Sequence, residues 1–261
     1  MDIIQLIPLV YNKFILFVLI FTRISALLTF FVLFRRDLIT GRIIISLASI
    51  LSLYILLLYP NMSVQYGLFS ISMLVQIFIQ AVIGLISGLF LNVIFEVFVV
   101  AGQVISTQAG LSVASLIDQR FGFITSLTHF YIITVTLLFL LLNGHLFVIK
   151  TLADSFSVMP VDQIFLPSHM MAQVLSYSSI LFSGAVTLSI TIVIVLLMTN
   201  IALAVMTKFA PQFNLFSIGL NMELVIGLFC VYVTYQLFVA ESGDLIRESL
   251  SLFYQSIMKM K

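Results

Sequence analysis

Charged side chains are scarce in this sequence. Of its 261 residues only 8% are charged, whereas 62% are hydrophobic. A soluble globular domain carries about 25% charged residues, so this is the composition of a membrane protein. The few charges nearly cancel, with 11 basic and 10 acidic residues and a net charge of +1. They form no strongly basic or acidic patch, which argues against nucleic acid as a partner.

The sequence also has a single cysteine, Cys230, which lies in an apolar run. One cysteine excludes an internal disulfide and a CxxC metal or redox site. We therefore expect Cys230 to pack as a small hydrophobic side chain.

The motifs of common enzymes are missing as well. We find no HExxH, no GxSxG, no glycine-rich phosphate loop with a lysine and no paired acidic motif. The three histidines, His129, His145 and His169, are far apart in sequence. Each is expected to be a polar anchor or a solvated residue rather than a metal ligand. We expect no enzyme and no cofactor, and any ATP-driven work would belong to a partner.

Long apolar runs make up most of the chain. Six of them meet the criterion of roughly 20 residues for a bilayer crossing, and we expect the first to be a retained helix rather than a signal peptide. The prediction is an all-α polytopic membrane protein with about six long helices arranged as hairpins, in one domain over residues 1–261. The runs are residues 14–34, 43–59, 68–101, 123–149, 174–206 and 215–240.

Two of these runs are longer than a bilayer requires. Residues 68–101 and 174–206 would each reach about 50 Å as a helix, against a hydrocarbon core of about 30 Å. Tilt or a kink can absorb part of the excess. Alternatively, these helices leave the bilayer and stay covered by protein.

The third run carries small and polar residues on one face. Gly84, Gly88, Asn92 and Glu96 recur every fourth residue. The spacing of the two glycines lets two helix backbones approach closely. Asn92 and Glu96 would be costly in lipid, since a charge at a helix centre costs roughly 2.5–3.5 kcal/mol. The face is therefore either a helix-packing interface or the wall of a conduit.

Polar residues also occur in two other runs. Arg23 lies inside the first run and should face protein or water. Hydroxyl residues share one face of the fifth run, where ordinary packing accounts for them because hydroxyls can bond to the carbonyls of their own helix. These residues are Ser176, Ser179, Ser183, Thr187 and Thr191.

Residues 102–122 form a segment rich in Gly, Ser and Gln between two apolar runs. Irregular backbone at membrane depth is tolerated only where it is buried in protein or lines a cavity. The segment is therefore either an aqueous loop or a re-entrant, constricting element. Its apolar residues favour burial over a free loop.

Three motifs resemble the FliR family of flagellar type III export-gate proteins, which is related to the SctT family of virulence type III secretion. They are AGQVISTQAGLSVASLID at 101–118, NGHL at 143–146 and APQFNLFSIGL at 210–220. The resemblance covers nearly the whole chain, in length, span order and motif positions. The residues that carry the last two motifs are Asn143, Gly144, His145, Pro211, Gln212, Asn214 and Gly219.

The chain departs from the usual family pattern at three positions. Gln103 stands where the family usually has an acid, and Gln119 and Asn221 stand where it usually has prolines. These differences bear on any role that needs a charge at 103 or a rigid turn at 119.

The resemblance implies a non-enzymatic subunit of the flagellar protein export gate, in the bacterial inner membrane and the flagellar basal body. It implies FliP-like and FliQ-like partner subunits, FlhB-like and FlhA-like neighbours, contact with membrane lipid, and passage of unfolded flagellar subunits. It further implies that residues 102–122 help to plug the closed channel. The candidate gate residues are Gln103, Ser106, Thr107, Gln108, Gly110, Leu111 and Asp118.

Other functions remain open at this point. A secondary transporter for a small solute would use Glu96 or Glu223 as a proton or ion site and residues 102–122 as a broken-helix binding site. Internal repeats would support it, and none is evident. The equivalent subunit of a virulence type III system shares the general layout, although the QAGLS and NGHL segments are closer to the flagellar branch. An intramembrane enzyme lacks any nucleophile–base or metal arrangement.

Overall fold

The protein is helical wherever its structure is described. The computed structural model describes residues 3–34, 39–60, 62, 64, 67, 70–111, 125–162, 168–209 and 219–258. Within these residues we find seven α-helices and a short 3-10 helix, and no strand, which confirms the all-α prediction. The helices are α1 (Ile3–Phe30), α2 (Gly41–Leu58), α3 (Ile71–Gln108), α4 (Ser126–Leu141), α5 (Gly144–Val158), α6 (Ser168–Phe209) and α7 (Leu220–Met258), and the 3-10 helix is Val32–Phe34.

The number of candidate membrane spans is consistent with the six predicted. Among the described residues, five helices are long and apolar enough to cross a membrane, and a sixth candidate results if α4 and α5 are counted together. The predicted run 123–149 is therefore interrupted, because α4 ends at Leu141 and α5 begins at Gly144. The interruption occurs within the NGHL motif, which breaks an otherwise apolar stretch.

Three helices far exceed the thickness of a bilayer. α3, α6 and α7 contain 38, 42 and 39 residues, so each is about 57 Å long or longer, against a hydrocarbon core of about 30 Å. The helices exceed the bilayer thickness by more than the apolar runs predict, because each helix continues through polar residues beyond its apolar run. α3 includes Gln103 and Gln108, and α7 continues from its apolar half to Met258.

The chain divides into two compact units. Unit 1 comprises Met1–Val93, His145–Tyr177 and Leu250–Lys261, and unit 2 comprises Ile94–Gly144 and Ser178–Ser249. The long helices α3, α6 and α7 therefore contribute residues to both. That residues 1–261 act as one functional domain stays a prediction.

The core of unit 1 forms around α1 and the first part of α3. Residues of α1 at helical spacing, such as Leu16, Ile20 and Leu27, are completely buried, as expected for the apolar stripe of a packed helix. Phe90 of α3 stacks on Tyr177 of α6 with ring centroids 4.2 Å apart and lies 5.4 Å from the ring of Phe253 in α7. Aromatic contacts thus join three helices within this unit.

Aromatic contacts also organise unit 2. The ring of Phe238 in α7 lies 6.2 Å from Phe98 in α3 and 4.3 Å from Tyr131 in α4. Phe95 of α3 meets Phe139 of α4 edge-on at 5.4 Å. These pairs pack the second part of α3 against α4 and α7.

Candidate gate segment and helix-packing face

The described gate residues lie at the C-terminal end of α3, in unit 2. Gln103 is half-buried, Ser106 is fully buried and Thr107 is exposed. α3 ends at Gln108. Gly110, two residues later, has a left-handed φ of 72°, a conformation that glycine adopts without the steric cost of a side chain. Leu111 is the last described residue of the segment, and Asp118 lies outside the described residues.

A cluster of hydroxyls ties this end of α3 to the beginning of α4. The Ser106 and Thr125 hydroxyl oxygens are 2.5 Å apart, and the Thr125 hydroxyl lies 3.0 Å from that of Thr128. Thr125 is also the N-cap of α4, because its hydroxyl accepts a hydrogen bond from the backbone N–H of Thr128 at 3.4 Å. These hydrogen bonds therefore join the C-terminal end of α3 to the start of α4.

The absence of a side chain at Gly102 allows α3 and α4 to pack closely. A Cβ atom at this position would lie 3.0 Å from the Thr128 Cα atom and 3.1 Å from the ring of Tyr131. A side chain at this position would have to displace Thr128 or Tyr131 slightly, and glycine avoids that crowding.

An apolar groove lies beside the end of α3 and the start of α4, also in unit 2. Its volume is about 780 Å³. One end of the groove is lined by Leu111, the last described residue after α3, and by Ser126, the first residue of α4. One wall of the groove is formed by α7. The lining residues from α7 are Leu228, Val231, Tyr232, Val233, Tyr235 and Gln236.

The predicted packing face of α3 meets α1 of the same chain, within unit 1. A Cβ atom at Gly84 would overlap the carbonyl oxygen of Arg23 and lie 2.9 Å from the Ala26 Cβ atom. At Gly88 it would lie 2.8 Å from the carbonyl oxygen of Leu27. The two helix backbones thus approach more closely than any side chain at these glycines would permit. Whether the face also serves a neighbouring subunit stays a prediction.

The two polar residues further along this face differ in their surroundings. Asn92, in unit 1, has a buried side-chain oxygen that accepts no hydrogen bond from the described residues. Glu96, in unit 2, is partly buried. An unpaired buried acceptor costs free energy, so a donor from outside the described part of the chain would stabilise Asn92.

Arg23 is the centre of a buried polar cluster in unit 1. Its side chain is 1% exposed, and its guanidinium carbon lies 4.2 Å from the centre of the Phe156 ring. The Nε atom donates to the Gln80 side-chain oxygen at 2.6 Å, and the Nη2 atom donates to the Met159 carbonyl at 2.9 Å. The Nη1 atom lies 3.2 Å from the Ser155 hydroxyl. Arg23 therefore faces protein, which is one of the two surroundings, protein or water, that its position in the first apolar run predicts.

Sequence reasoning missed the partners of Arg23. Gln80 lies one helical turn after Gln76 on α3, and the Gln76 amide donates to the Val161 carbonyl. Both glutamines are buried. A pair of glutamines spaced by four residues in an apolar run is a signal that could have indicated a buried polar cluster, since lipid does not satisfy such groups.

The structure gives a local reason for the NGHL motif. Asn143 has a φ of 57°, a left-handed conformation that asparagine adopts more readily than most residues. A Cβ atom at Gly144 would overlap the ring of Phe139, which is fully buried. His145 is exposed. The Asn–Gly pair therefore ends α4 and lets the Phe139 ring lie against the turn.

The last motif is only partly described. Pro211, Gln212 and Asn214 lie outside the described residues, and Gly219 is buried directly before α7. The roles of these residues stay predictions.

Comparison with known proteins assigns the chain to a family. Residues 14–249 match the family described as bacterial export proteins, family 1. The chain is 31% identical to the flagellar biosynthetic protein FliR of Buchnera aphidicola subsp. Baizongia pistaciae, over 87% of this chain and 90% of the relative. It is 30% identical to FliR of Buchnera aphidicola subsp. Schizaphis graminum, over 97% of this chain and 100% of the relative.

A second kind of relative matches a shorter region. The chain is 29% identical to the surface presentation of antigens protein SpaR of Shigella flexneri, over 60% of each chain. The family match covers most of the chain and the FliR similarity extends along nearly all of it, so this protein belongs to the FliR family of bacterial export proteins.

Proposed function

We propose that this chain is a subunit of the flagellar type III protein export gate and forms part of the channel through which unfolded flagellar subunits leave the cell. The observation that carries the proposal is the similarity to FliR over nearly the full length of both chains. The apolar helices, several of them longer than a bilayer, support a role inside a membrane-associated assembly.

The proposal includes a location and a set of partners. The chain would reside at the bacterial inner membrane in the flagellar basal body, with FliP-like and FliQ-like gate subunits, FlhB-like and FlhA-like neighbours, and exported flagellar subunits in the channel. Exposed apolar side chains such as Phe182 and Tyr232, which are 68% and 80% exposed, support contact with other subunits or lipid. The role is conduction of a polypeptide and not catalysis.

The proposed mechanism gives the packing face of α3 and the gate segment that follows it different roles. Gly84 and Gly88 hold α3 against α1, which keeps the packing face rigid. The segment that begins at Gln103 acts as a movable constriction and plugs the closed channel. Gly110 supports this role, because its left-handed backbone permits a sharp change of chain direction just after α3. The contact between the Ser106 and Thr125 hydroxyls anchors the segment where the chain leaves α3 and enters α4.

Affinity purification tests the subunit assignment. The tagged chain, expressed in its host and extracted in mild detergent, should bring FliP-like and FliQ-like proteins with it, identified by mass spectrometry. A host that lacks the chain should lose motility and regain it when the gene is restored. Reconstituted chain that moves a small solute without any such partner would instead favour a secondary transporter.

Ion conductance tests the plug assignment. Deleting residues 106–116 should make the assembled, closed complex leak ions while the complex is still recovered. The matched control is the substitution Ser126→Ala, at an exposed residue of α4, which should leave conductance at background. Background conductance in an assembled complex with the deletion would show that these residues do not close the channel.

The similarity to SpaR favours a second candidate, the equivalent subunit of a virulence type III system. The two candidates differ in which host defect the chain repairs. Restored motility in a strain that lacks its own FliR supports the flagellar assignment, whereas restored secretion only in a strain that lacks SpaR supports the virulence assignment.

A further inference from the structure

The helix α2 in unit 1 has a broad exposed apolar surface. Four of its 18 residues are buried, and these are Ile44, Ala48, Ser52 and Ile55. Their spacing of three and four residues places them on one stripe of the helix, and α2 packs against α1. Large aliphatic side chains on the rest of the surface are more than half exposed, among them Ile43, Ile50, Leu53 and Leu57. An apolar surface of this breadth marks a contact with a membrane or with another protein.

The length of α2 matches the thickness of one bilayer. Its 18 residues reach about 27 Å, against a hydrocarbon core of about 30 Å. No charged residue lies between Arg42, in the first turn, and Tyr59, directly after the helix. Basic and tyrosine side chains at the ends of an apolar helix are typical of the membrane–water interface. Next to Tyr59, the Lys13 amine donates to the Pro60 carbonyl at 2.8 Å. Polar groups thus bound an apolar stretch of bilayer length.

The serines of α2 need no hydrogen-bond acceptor from a partner. The hydroxyls of Ser46, Ser49 and Ser52 each donate to the carbonyl four residues earlier in the same helix, at 2.5–2.9 Å. Each hydroxyl has one proton, and the helix itself accepts it. The serines are therefore compatible with surroundings that offer no hydrogen bonds.

The small residues of α2 that favour close helix contacts face inward. Ala48 and Ser52 are four positions apart, the spacing typical of helix pairs in membranes, and both are completely buried. Ile50, Leu53 and Leu57 on the exposed side are large and branched. Helix interfaces in membranes are enriched in small residues, so the surface of α2 best suited to another helix is already buried within the chain.

We propose that the exposed surface of α2 binds the acyl chains of membrane phospholipids, so that α2 is the segment that anchors this chain in an ordinary bilayer. The headgroups lie level with Arg42 at one end and with Tyr59 at the other. Length, satisfied serines and inward-facing small residues all favour lipid over a second protein as the cover. The inference concerns the fold of the chain itself and does not depend on which export system the chain serves.

Fluorescence quenching by brominated phospholipids tests whether α2 spans the bilayer. The chain contains no tryptophan, so a single introduced tryptophan reports its own depth. The full chain with Ile50→Trp or Tyr59→Trp is reconstituted in vesicles of phosphatidylcholine and phosphatidylglycerol, with bromines near the end of the acyl chain or near the headgroup. We expect Ile50→Trp to lose most fluorescence with the deep bromines and Tyr59→Trp with the shallow ones. Asp244→Trp, at a charged position that is 83% exposed, is the control and should keep its fluorescence with both.

Photocross-linking in host membranes tests what covers α2. A photoreactive side chain is placed at position 53 or 57, where Leu53 and Leu57 are exposed, and the membranes are irradiated. We expect phospholipid adducts on the α2 peptide, identified by mass spectrometry, and no product with another protein. The same side chain at position 244 should give no lipid adduct.

Two results would overturn the proposal. One is quenching of Ile50→Trp that is no stronger than that of Asp244→Trp, which would place the middle of α2 outside the hydrocarbon core. The other is a cross-link from position 53 or 57 to a protein. Helical circular dichroism of each variant is compared with that of the unmodified chain, and Leu53→Trp repeats the depth measurement if Ile50→Trp does not fold.

Discussion

At the scale of single residues, Arg23 shows how a charge can be accommodated in an apolar helix. Its guanidinium group donates to oxygens from Gln80, Ser155 and Met159, and two of these lie near the C-terminal end of α5. The carbonyl groups at the end of a helix carry a partial negative charge. Arg23 therefore caps α5 and links it to α1 and α3 within unit 1.

Replacing Arg23 should weaken this unit. Arg23→Met keeps much of the aliphatic stem but leaves the oxygens of Gln80 and Met159 without their donor. We expect the free energy of unfolding to fall by roughly 1–3 kcal/mol for each buried acceptor left unpaired. Thermal unfolding of the purified chain, followed by circular dichroism, measures the loss. Arg247→Met is the matched control, because Arg247 is 69% exposed and a surface charge contributes little.

Gly88 makes a second prediction at this scale. Gly88→Leu should force α3 away from α1, because even a Cβ atom would lie 2.8 Å from the Leu27 carbonyl oxygen. We expect a lower yield of folded chain and loss of co-purification with FliP-like and FliQ-like partners. The control Gly41→Leu has open space around it and should be tolerated. Normal recovery of the complex with Gly88→Leu would rule out the packing role.

At the scale of elements, the hydroxyl cluster between α3 and α4 determines how the gate segment is anchored. Thr125→Val should lose both the N-cap of α4 and the contact with Ser106, at a cost of about 0.5–2 kcal/mol. Faster hydrogen exchange of the Ser126–Thr128 amides would report the loss. Thr134→Val, on the same helix, is the control, because within the described part of the chain the Thr134 hydroxyl bonds to the carbonyl of Phe130 alone. Equal exchange in the two variants would show that the cluster does not anchor the segment.

At the scale of the whole molecule, the proposed assembly predicts that other subunits cover part of the exposed apolar surface. α6 and α7 expose Phe182 and Tyr232, and each helix is about twice as long as the hydrocarbon core. In the assembled gate we expect photoreactive side chains at 182 and 232 to cross-link to other subunits. A photoreactive side chain at the exposed position Asp244 serves as the control and should give no such product. Adducts with lipid only at 182 and 232 would contradict protein cover.

Much of the fold was predictable because its signals are local. An apolar run of bilayer length specifies a helix wherever it lies, so the helical class and the six runs follow from composition and spacing. The glycine pair at 84 and 88 likewise indicates a close helix contact. The order of the three motifs was sufficient to indicate the FliR family, and the match over residues 14–249 confirms it.

Which distant residues contact each other depends on how the helices pack. The Arg23 side chain is bonded to Ser155, which lies 132 positions away in the sequence, and no local pattern contains that information. The same is true of α1 as the partner of Gly84 and Gly88, and of the Ser106–Thr125 contact. The hydropathy of a segment depends on that segment alone, so the sequence by itself indicates where the helices lie. A hydrogen bond between distant helices depends on how the whole core packs, so only the folded structure shows which helices contact each other.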